Sequence, residues 1–208
     1  MGCRGAVGLC LALAVQAFAQ PARLDFDRYS LEDGLSQSII ESIVQDRLGF
    51  LWFATEDGLN RFDGYRFTVL RNSVVDENTL SYNDLRAVYE DRAGVLWIGT
   101  FGGGLSRLDP TSGRVTRYRH DPTDPGSLAG DRVRCMFEDR AGRLWIGTEG
   151  GLNRLKDGQL THYTTKQGLS NDFVFSLHED REGDLWIGTF GGLNRLREGR
   201  FTRYTTKD

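Results

Sequence analysis

The chain has 208 residues, of which 39% are hydrophobic and 11% aromatic, so it carries enough apolar side chains to bury a core and is not disordered. Its formal charge is −3, with acidic and basic residues interleaved along the chain. This composition excludes the basic surface expected of a nucleic-acid-binding protein.

The first element is a predicted secretory signal over residues 1–19. Arg4 supplies the positive charge, residues 6–15 form a short apolar run, and Ala17-Phe18-Ala19 is a cleavage site before Gln20. The run is shorter than the roughly 20 residues that a membrane span needs. We expect export to the periplasm, with cleavage near Ala19-Gln20 and no membrane anchor in the remaining chain.

A tryptophan-centred segment then recurs four times. EDRAGVLWIGT at residues 90–100 returns as EDRAGRLWIGT at 138–148 and EDREGDLWIGT at 179–189, and a looser copy, QDRLGFLWFAT, stands at 45–55. Repeats at a regular spacing of about 40–45 residues are typical of stacked supersecondary units. We expect the four tryptophans to be structural core side chains, since each falls at the same place in its repeat: Trp52, Trp97, Trp145 and Trp186.

Each repeat predicts four short antiparallel strands. In the last repeat these are residues 172–178, Leu-Trp-Ile-Gly-Thr, Leu-Asn-Arg-Leu and residues 201–204, separated by glycine-containing turns. Four strands per repeat predict an all-β fold, a β-propeller of four-stranded antiparallel blades. In such a fold the second strand is buried on both faces, which fits Leu-Trp-Ile. The predicted blades cover about 35–79, 80–127, 128–168 and 169–206.

Residues 24–30 resemble the fourth strand of a repeat whose other strands are absent, because they align with the segment that begins at Leu160. The last repeat already has its own fourth strand, so a closed four-bladed ring would leave residues 24–30 as an unpaired edge. The sequence therefore predicts four complete blades plus one N-terminal strand, arranged as an open arc. A ring of seven blades would lack about three.

The repeats resemble the two-component regulator propeller family. The resemblance rests on the pattern LxxxxVxxxxEDxxGxLWIGTxGGLNRL at residues 169–196 and spans residues 24–208. The first copy departs most from this pattern, with Phe53, Ala54 and Glu56-Asp57. The second copy carries an extra glycine at 102–104.

This resemblance implies a periplasmic sensor domain, usually seven-bladed, that precedes a membrane helix and a histidine kinase or diguanylate cyclase output. Ligands of such sensors are often oligosaccharides. On this basis we expect a non-catalytic ligand-sensing module that lacks its own output domain. Its expected partners are a small polar ligand, further C-terminal blades, the membrane-bound output and a possible second copy, but no nucleic acid.

Residues that differ between blades are better candidates for a ligand site than repeated ones. Loops joining strand four to the next strand one, and strand two to strand three, meet on one face of a propeller, around its channel. We expect that face to bind hydroxyl-rich ligands through amide, charged and aromatic side chains. The candidate residues are Tyr82, Asn83, Phe101, Asp131, Arg132, Glu149, Asn171, Asp172 and Phe190. Ordinary solvated loop residues are the alternative for each of them.

Catalytic and metal motifs are not evident. The three histidines lie at different places in their repeats, without metal-ligand spacing, and no nucleophile elbow or phosphate loop is present. Cys135 aligns with small residues and is expected to be packed rather than reactive. We therefore expect no cofactor, no metal and no enzymatic activity. A propeller lyase or hydrolase acting on a glycan or cyclic peptide, and a plain interaction scaffold, remain the alternatives.

Overall fold

The computed structural model describes residues 25–206; the predicted signal sequence at residues 1–19 lies outside this range. Within it, sixteen strands form four separate antiparallel sheets, each made of four strands that follow one another in sequence. This confirms the predicted all-β fold of four-stranded blades. A single 3₁₀ turn at Leu31–Asp33 is the only helical element of the described chain.

The strands of the first two blades precede residue 119. Blade 1 contains β1 (Ile40–Gln45), β2 (Leu51–Thr55), β3 (Gly58–Phe62) and β4 (Phe67–Leu70). Blade 2 contains β5 (Leu85–Glu90), β6 (Leu96–Thr100), β7 (Leu105–Leu108) and β8 (Val115–Tyr118).

The last two blades repeat the same order. Blade 3 contains β9 (Val133–Glu138), β10 (Leu144–Thr148), β11 (Gly151–Lys156) and β12 (Gln159–Tyr163). Blade 4 contains β13 (Val174–Glu179), β14 (Leu185–Thr189), β15 (Gly192–Arg197) and β16 (Arg200–Tyr204).

An aspartate organises the turn between the first two strands of every blade. In blade 3, Asp139 Oδ1 accepts the backbone N–H groups of Ala141 and Arg143, both at 2.9 Å. Its Oδ2 accepts the indole N–H of Trp145 at 2.7 Å. Gly142 closes the turn with φ of 69°, a conformation that glycine adopts without strain. The same Asp–Trp bond, at 2.6–2.8 Å, joins Asp46 to Trp52, Asp91 to Trp97 and Asp180 to Trp186.

The second strand is the most buried element of each inner blade. All five residues of β6 and of β10 are buried, because another blade covers each face of these sheets. In β2 and β14 burial alternates along the strand. Blades 1 and 4 are the end blades of the described chain, so one face of each lacks a neighbouring blade.

Close approach between blades explains the glycine of Leu-Trp-Ile-Gly-Thr. A β-carbon at Gly147 would lie 2.5 Å from Cys135 Sγ in its own blade and 2.8 Å from Val174 Cγ1 in the next. A side chain of any size would push blades 3 and 4 apart. Gly99 of blade 2 stands in the same relation to Val133 of blade 3.

Each pair of neighbouring blades is also joined by a polar contact that we call the hairpin clasp. The arginine after the turn aspartate of one blade donates its backbone N–H to the glutamate before the turn aspartate of the next. The N–H to carboxylate distances are 3.1 Å for Arg47–Glu90, 2.7 Å for Arg92–Glu138 and 3.0 Å for Arg140–Glu179. Contacts between blades therefore explain the glutamate and the arginine of the Glu-Asp-Arg motif.

The prediction of an N-terminal strand at residues 24–30 is wrong for residues 25–30, which are the part of it that the structure describes. Residues 25–30 have no strand structure and belong to none of the four sheets, because no described third strand lies beside them to share backbone hydrogen bonds. Tyr29 nevertheless packs on Phe62 and Phe67, with ring centroids 4.9 and 5.9 Å apart. The segment lies against blade 1 without pairing to it.

The blades form an open arc in which each blade packs on the next. The first strands of consecutive blades contact one another, β1 with β5, β5 with β9 and β9 with β13. Strand one is therefore the innermost strand of each blade. Separate hydrophobic clusters fill the three interfaces, centred on Leu85, Val133 and Val174.

Candidate ligand site at the axial rim

One residue of every innermost strand is a β-bulge, left out of the register with strand two. The pairing skips the second residue of β1, β5, β9 and β13. Bulges redirect a side chain and are common beside functional sites. The four bulged residues are of three types, glutamate, arginine in two blades, and phenylalanine: Glu41, Arg86, Arg134 and Phe175.

Two further positions of each blade lie beside the bulge. One is the residue before strand one, and the other is the residue after the threonine that ends strand two. We call the three positions together the axial rim. Its members are Ile39, Glu41 and Glu56 in blade 1, Asp84, Arg86 and Phe101 in blade 2, Arg132, Arg134 and Glu149 in blade 3, and Phe173, Phe175 and Phe190 in blade 4.

Arg86 links the rim of blade 1 to that of blade 2. Its Nη1 lies 2.5 Å from Glu41 Oε1, its Nη2 lies 3.2 Å from Glu56 Oε1, and its Nη2 donates to Asp84 Oδ2 at 3.0 Å. Burial opposes the charge of Arg86, but the carboxylate of Asp84, followed by those of Glu41 and Glu56, outweighs burial and raises the arginine pKa. Arg86 is a fixed cation.

Phe101 stands between the arginines of two blades. Its ring centroid lies 4.8 Å from the guanidinium carbon of Arg86, 4.7 Å from that of Arg132 and 4.9 Å from that of Arg134. Cations within about 6 Å of an aromatic ring are attracted to its face. Phe101 is thus surrounded by three guanidinium groups at the rims of blades 2 and 3.

Glu149 neutralises part of this charge. Its Oε2 accepts from Arg132 Nη1 at 3.0 Å, and its Oε1 accepts from Arg134 Nη2 at 2.5 Å. Burial disfavours the ionised carboxylate, but the hydrogen bonds from Arg134 and Arg132 outweigh it, so the pKa of Glu149 is lowered. The Arg132 side chain remains 55% exposed, which leaves part of its guanidinium open to a ligand.

The rim of blade 4 is aromatic. The ring of Phe190 lies 4.2 Å from that of Phe173 and 5.7 Å from that of Phe175, and Phe190 is 72% exposed. Arg134 lies over Phe173 at 5.3 Å, so the aromatic group is continuous with the arginines of blade 3. Along the arc the rim therefore changes from acidic through cationic to aromatic.

The structure separates the residues that the sequence suggested into two groups. Phe101, Arg132 and Glu149 contact one another as described above, and Phe190 lies in the aromatic group of blade 4. Tyr82 lies apart from these contacts, on the loop glycines at 102–103, and is 47% exposed.

The remaining suggested residues bind backbone. The side chains of Asn83, Asp131 and Asp172 hold one position in three blades, and each accepts a loop N–H, from Asn72, His120 and Thr165, at 2.6–2.7 Å. Asn171 accepts the N–H of Phe173 at 2.8 Å. These contacts hold the loops that lead into each blade. The four residues therefore position the axial rim and are not themselves part of it.

The bulged residues were not predicted, nor were Ile39, Asp84 and Phe173, which precede the first strands. Their signal was present, since the aligned position changes from Glu to Arg, Arg and Phe. A strand residue is normally assigned to one face of its sheet because side chains alternate along a strand. A bulge breaks this alternation, and no feature of the sequence indicates where a bulge occurs.

No group of three or more potential metal ligands occurs in residues 25–206. Burial raises the pKa of the Cys135 thiol to about 12, so it is not a thiolate at neutral pH. The part of the chain that the structure describes contains no helix of the length and apolarity needed to cross a membrane.

The family model for the two component regulator propeller matches four segments of the chain, at residues 34–57, 79–102, 127–150 and 168–191. Each match contains one turn aspartate and its tryptophan partner. The four repeats are two-component regulator propeller repeats. The residues of the Asp–Trp turns and of the hairpin clasps all lie within the matched segments.

The chain is similar to parts of two-component signalling proteins. The chain is similar to the extracellular domain of a hybrid two component system from B. thetaiotaomicron, with 32% identity and a TM-score of 0.80, over 88% of this chain and 26% of that one. It is also 44% identical to histidine kinase P4 from Formosa agariphila over 69 residues, which cover 33% of this chain and 5% of the kinase. The chain spans only a small part of each relative.

A virginiamycin B lyase from Staphylococcus aureus is similar in fold alone, with 18% identity and a TM-score of 0.60 over 80% of this chain.

Proposed function

We propose that this chain is the ligand-sensing propeller module of a two-component type receptor, located in the periplasm and without catalytic activity. The similarity to extracellular domains of two-component systems supports a sensor placed outside the cytoplasm. The predicted signal at residues 1–19 supports export. The output would be a membrane-bound histidine kinase or diguanylate cyclase, to which ligand binding is relayed.

The observation that carries this proposal is the bulge in every innermost strand. The blades direct glutamate, arginine or phenylalanine to the axis from an otherwise repeated scaffold, and these side chains meet as one charged and aromatic surface. Variation confined to a converging surface is expected of a binding site and not of a fold requirement.

The chemistry of the rim favours a small polar ligand such as an oligosaccharide. The exposed ring of Phe190 offers an apolar face to sugar C–H groups, and Arg132 offers planar N–H donors to hydroxyl or carboxylate oxygens. The rim carries Arg86, Arg132 and Arg134 together with four carboxylates, so its charges are mixed rather than strongly basic. It does not resemble a site for a polyphosphate or a nucleic acid.

An array of neutral and uronate-containing oligosaccharides, probed with the full chain and followed by calorimetric titration of the hits, tests this proposal. We expect saccharide binding that Arg132→Ala weakens at least tenfold. Arg66→Ala is the matched control, because that side chain is 82% exposed on the blade 1 hairpin, away from the rim. Binding that is equally affected by both substitutions, or by neither, would place the ligand elsewhere.

A further inference from the structure

The hairpin clasp has a direction. In each of the three interfaces the arginine belongs to the earlier blade and the glutamate to the later one. The arginine side chain adds a second contact, donating to a backbone carbonyl in the hairpin of the later blade. These bonds are Arg47 Nη2 to Asp91 O at 3.0 Å, Arg92 Nη1 to Arg140 O at 3.3 Å and Arg140 Nη1 to Arg181 O at 2.8 Å.

Arg181 is the corresponding arginine of blade 4. It is exposed, and within residues 25–206 no carboxylate pairs with its side chain. The sheet face beside it, which we call the far face of blade 4, is also uncovered: Leu193 is 42% exposed and Tyr204 is 40% exposed.

Equivalent residues of blade 3 are covered by blade 4. Leu152, which corresponds to Leu193, is fully buried, and Tyr163, which corresponds to Tyr204, packs on Phe201 with ring centroids 5.7 Å apart. The far face of blade 4 therefore carries both the apolar surface and the arginine half of an interface that occurs three times in the arc.

Blade 1 does not supply the other half. Gln45 stands where blades 2, 3 and 4 have glutamate, and its Nε2 donates to Gly49 O in its own hairpin at 3.3 Å. Tyr29 already packs on Phe62 and Phe67 at the side of blade 1 that such a contact would use. Blade 1 of a second copy is thus a poor match for Arg181 in charge and in space.

We propose that the far face of blade 4 is a docking surface for a further β-propeller blade that carries glutamate immediately before its turn aspartate. The glutamate accepts the Arg181 backbone N–H, the Arg181 guanidinium binds the new hairpin, and Leu193 and Tyr204 become buried. The clasp then selects which blade can follow blade 4. A blade with the same apolar face but with glutamine immediately before its turn aspartate lacks the charged acceptor.

The test appends a second copy of residues 168–206 to the full chain. The linker before the copy then keeps the natural length, since Tyr204-Thr205-Thr206-Lys207 repeats Tyr163-Thr164-Thr165-Lys166. Two versions differ only at the copy's equivalent of Glu179, which is kept as glutamate or changed to glutamine. Each version is made with Arg181 and with Arg181→Ala. As a reference, the single and double variants of Arg140→Ala and Glu179→Gln measure the stability contributed by the clasp between blades 3 and 4.

With Arg181 present, we expect the glutamate version to unfold at a midpoint about 2–4 °C above the glutamine version. With Arg181→Ala this difference should fall to less than half, because the guanidinium contact with the glutamate is lost while the backbone N–H of residue 181 remains. Amide exchange at residues 181–183 should slow most in the glutamate version with Arg181. Equal midpoints, a difference that Arg181→Ala leaves unchanged, or an appended blade without exchange protection would overturn the proposal. So would self-association of the native chain that Arg181→Ala abolishes, because the occupant would then be a second copy.

Discussion

At the residue scale, one aspartate in each blade combines a turn and a core contact. Asp139 is 1% exposed and accepts three hydrogen bonds from the turn backbone and from Trp145, besides an ion pair with Arg143 at 2.5 Å. A buried carboxylate is tolerated when its oxygens are this fully bonded. The acid and the tryptophan of the repeat are therefore one structural unit.

These aspartates predict an acid-sensitive fold. The pKa of Asp180 is lowered by its bond from Trp186, and that of Asp139 is lowered because hydrogen bonds from Trp145 and the Arg143 backbone outweigh burial. A carboxyl with a lowered folded pKa stabilises the protein above its unfolded pKa of 3.8, and this contribution is lost as pH falls through the folded value.

We expect the free energy of unfolding in urea to fall steeply below about pH 4. The Asp139→Asn, Asp180→Asn double variant should be less stable at pH 7 and show a shallower fall, because two of the linked groups no longer titrate. Parallel curves for the variant and the native chain would exclude these two carboxylates as the source.

Trp145 is predicted to be a core residue and not a sugar platform. It is 2% exposed and packs between blades 3 and 4 with Leu152, Leu185 and Ile187. Trp145→Ala should lower the free energy of unfolding by about 3–5 kcal/mol, measured by chemical denaturation. A variant of native stability that no longer binds ligand would instead make Trp145 a binding residue.

The roles of many individual residues could be predicted from the sequence, and the exceptions are residues whose contacts form only in the folded chain. Repetition predicted the tryptophans to be core residues and the glycines of Asp-Arg-x-Gly to be turn residues. Trp52, Trp97 and Trp145 are buried, whereas Trp186, on the uncovered face of blade 4, is only half-buried. Repetition did not reveal that Asn83, Asp131 and Asp172 hold loop backbone, and these three residues were instead predicted to bind ligand. The hydrogen bonds between aspartate and tryptophan span six residues and depend on the hairpin being closed, so no local pattern displays them.

At the element scale, the strands pack closely because glycine is used where two blades meet. Gly147 has an ordinary backbone conformation but leaves no room for a β-carbon between Cys135 and Val174. This requirement comes from the neighbouring blade and not from a turn. Blade 1 carries Ala54 at the same position, where it is fully buried.

Gly147→Ala should therefore destabilise the chain by about 1–3 kcal/mol, the usual cost of overpacking a core. Ala54→Gly is the control, since it removes a methyl group at the equivalent position without adding bulk, and should cost about 1 kcal/mol. Urea unfolding of both variants measures the comparison. A neutral Gly147→Ala would mean that the blades move apart without loss, against the tight interface described above.

Strand positions were predictable from the alternation of turns and apolar runs, and the predicted strand at residues 24–30 shows where that method fails. Its sequence matches a fourth strand, but a strand forms only beside a partner. The bulges of β1, β5, β9 and β13 were not predictable either, because a bulge is set by pairing with strand two.

At the scale of the whole molecule, the arc exposes two sheet faces that its own blades leave uncovered. Leu193 and Tyr204 lie on one face, and Ile43, 57% exposed, lies on the innermost strand of blade 1. Uncovered apolar faces favour association. The order of blades was evident from the repeat, whereas the directional clasp between blades required the contacts of Arg47, Arg92 and Arg140.

We expect the chain of residues 20–208 to self-associate without a fixed stoichiometry, broadening with concentration in size-exclusion chromatography with light scattering. Arg181→Ala should leave this association unchanged, since blade 1 lacks the matching glutamate. A sharp monomer peak at all concentrations would contradict the exposed apolar faces.

Repeated residues build the scaffold, and the role that we propose for the rim residues is to bind ligand. Phe190→Ala tests it most directly, with Tyr65→Ala as control, because Tyr65 is an equally aromatic side chain that is 95% exposed on a hairpin outside the rim. Calorimetric titration with the best oligosaccharide of the array, with thermal unfolding of the same samples, is the measurement. Phe190→Ala should bind at least tenfold more weakly and unfold like the native chain, while Tyr65→Ala binds normally. Native affinity in Phe190→Ala would mean that the axial rim does not bind the ligand.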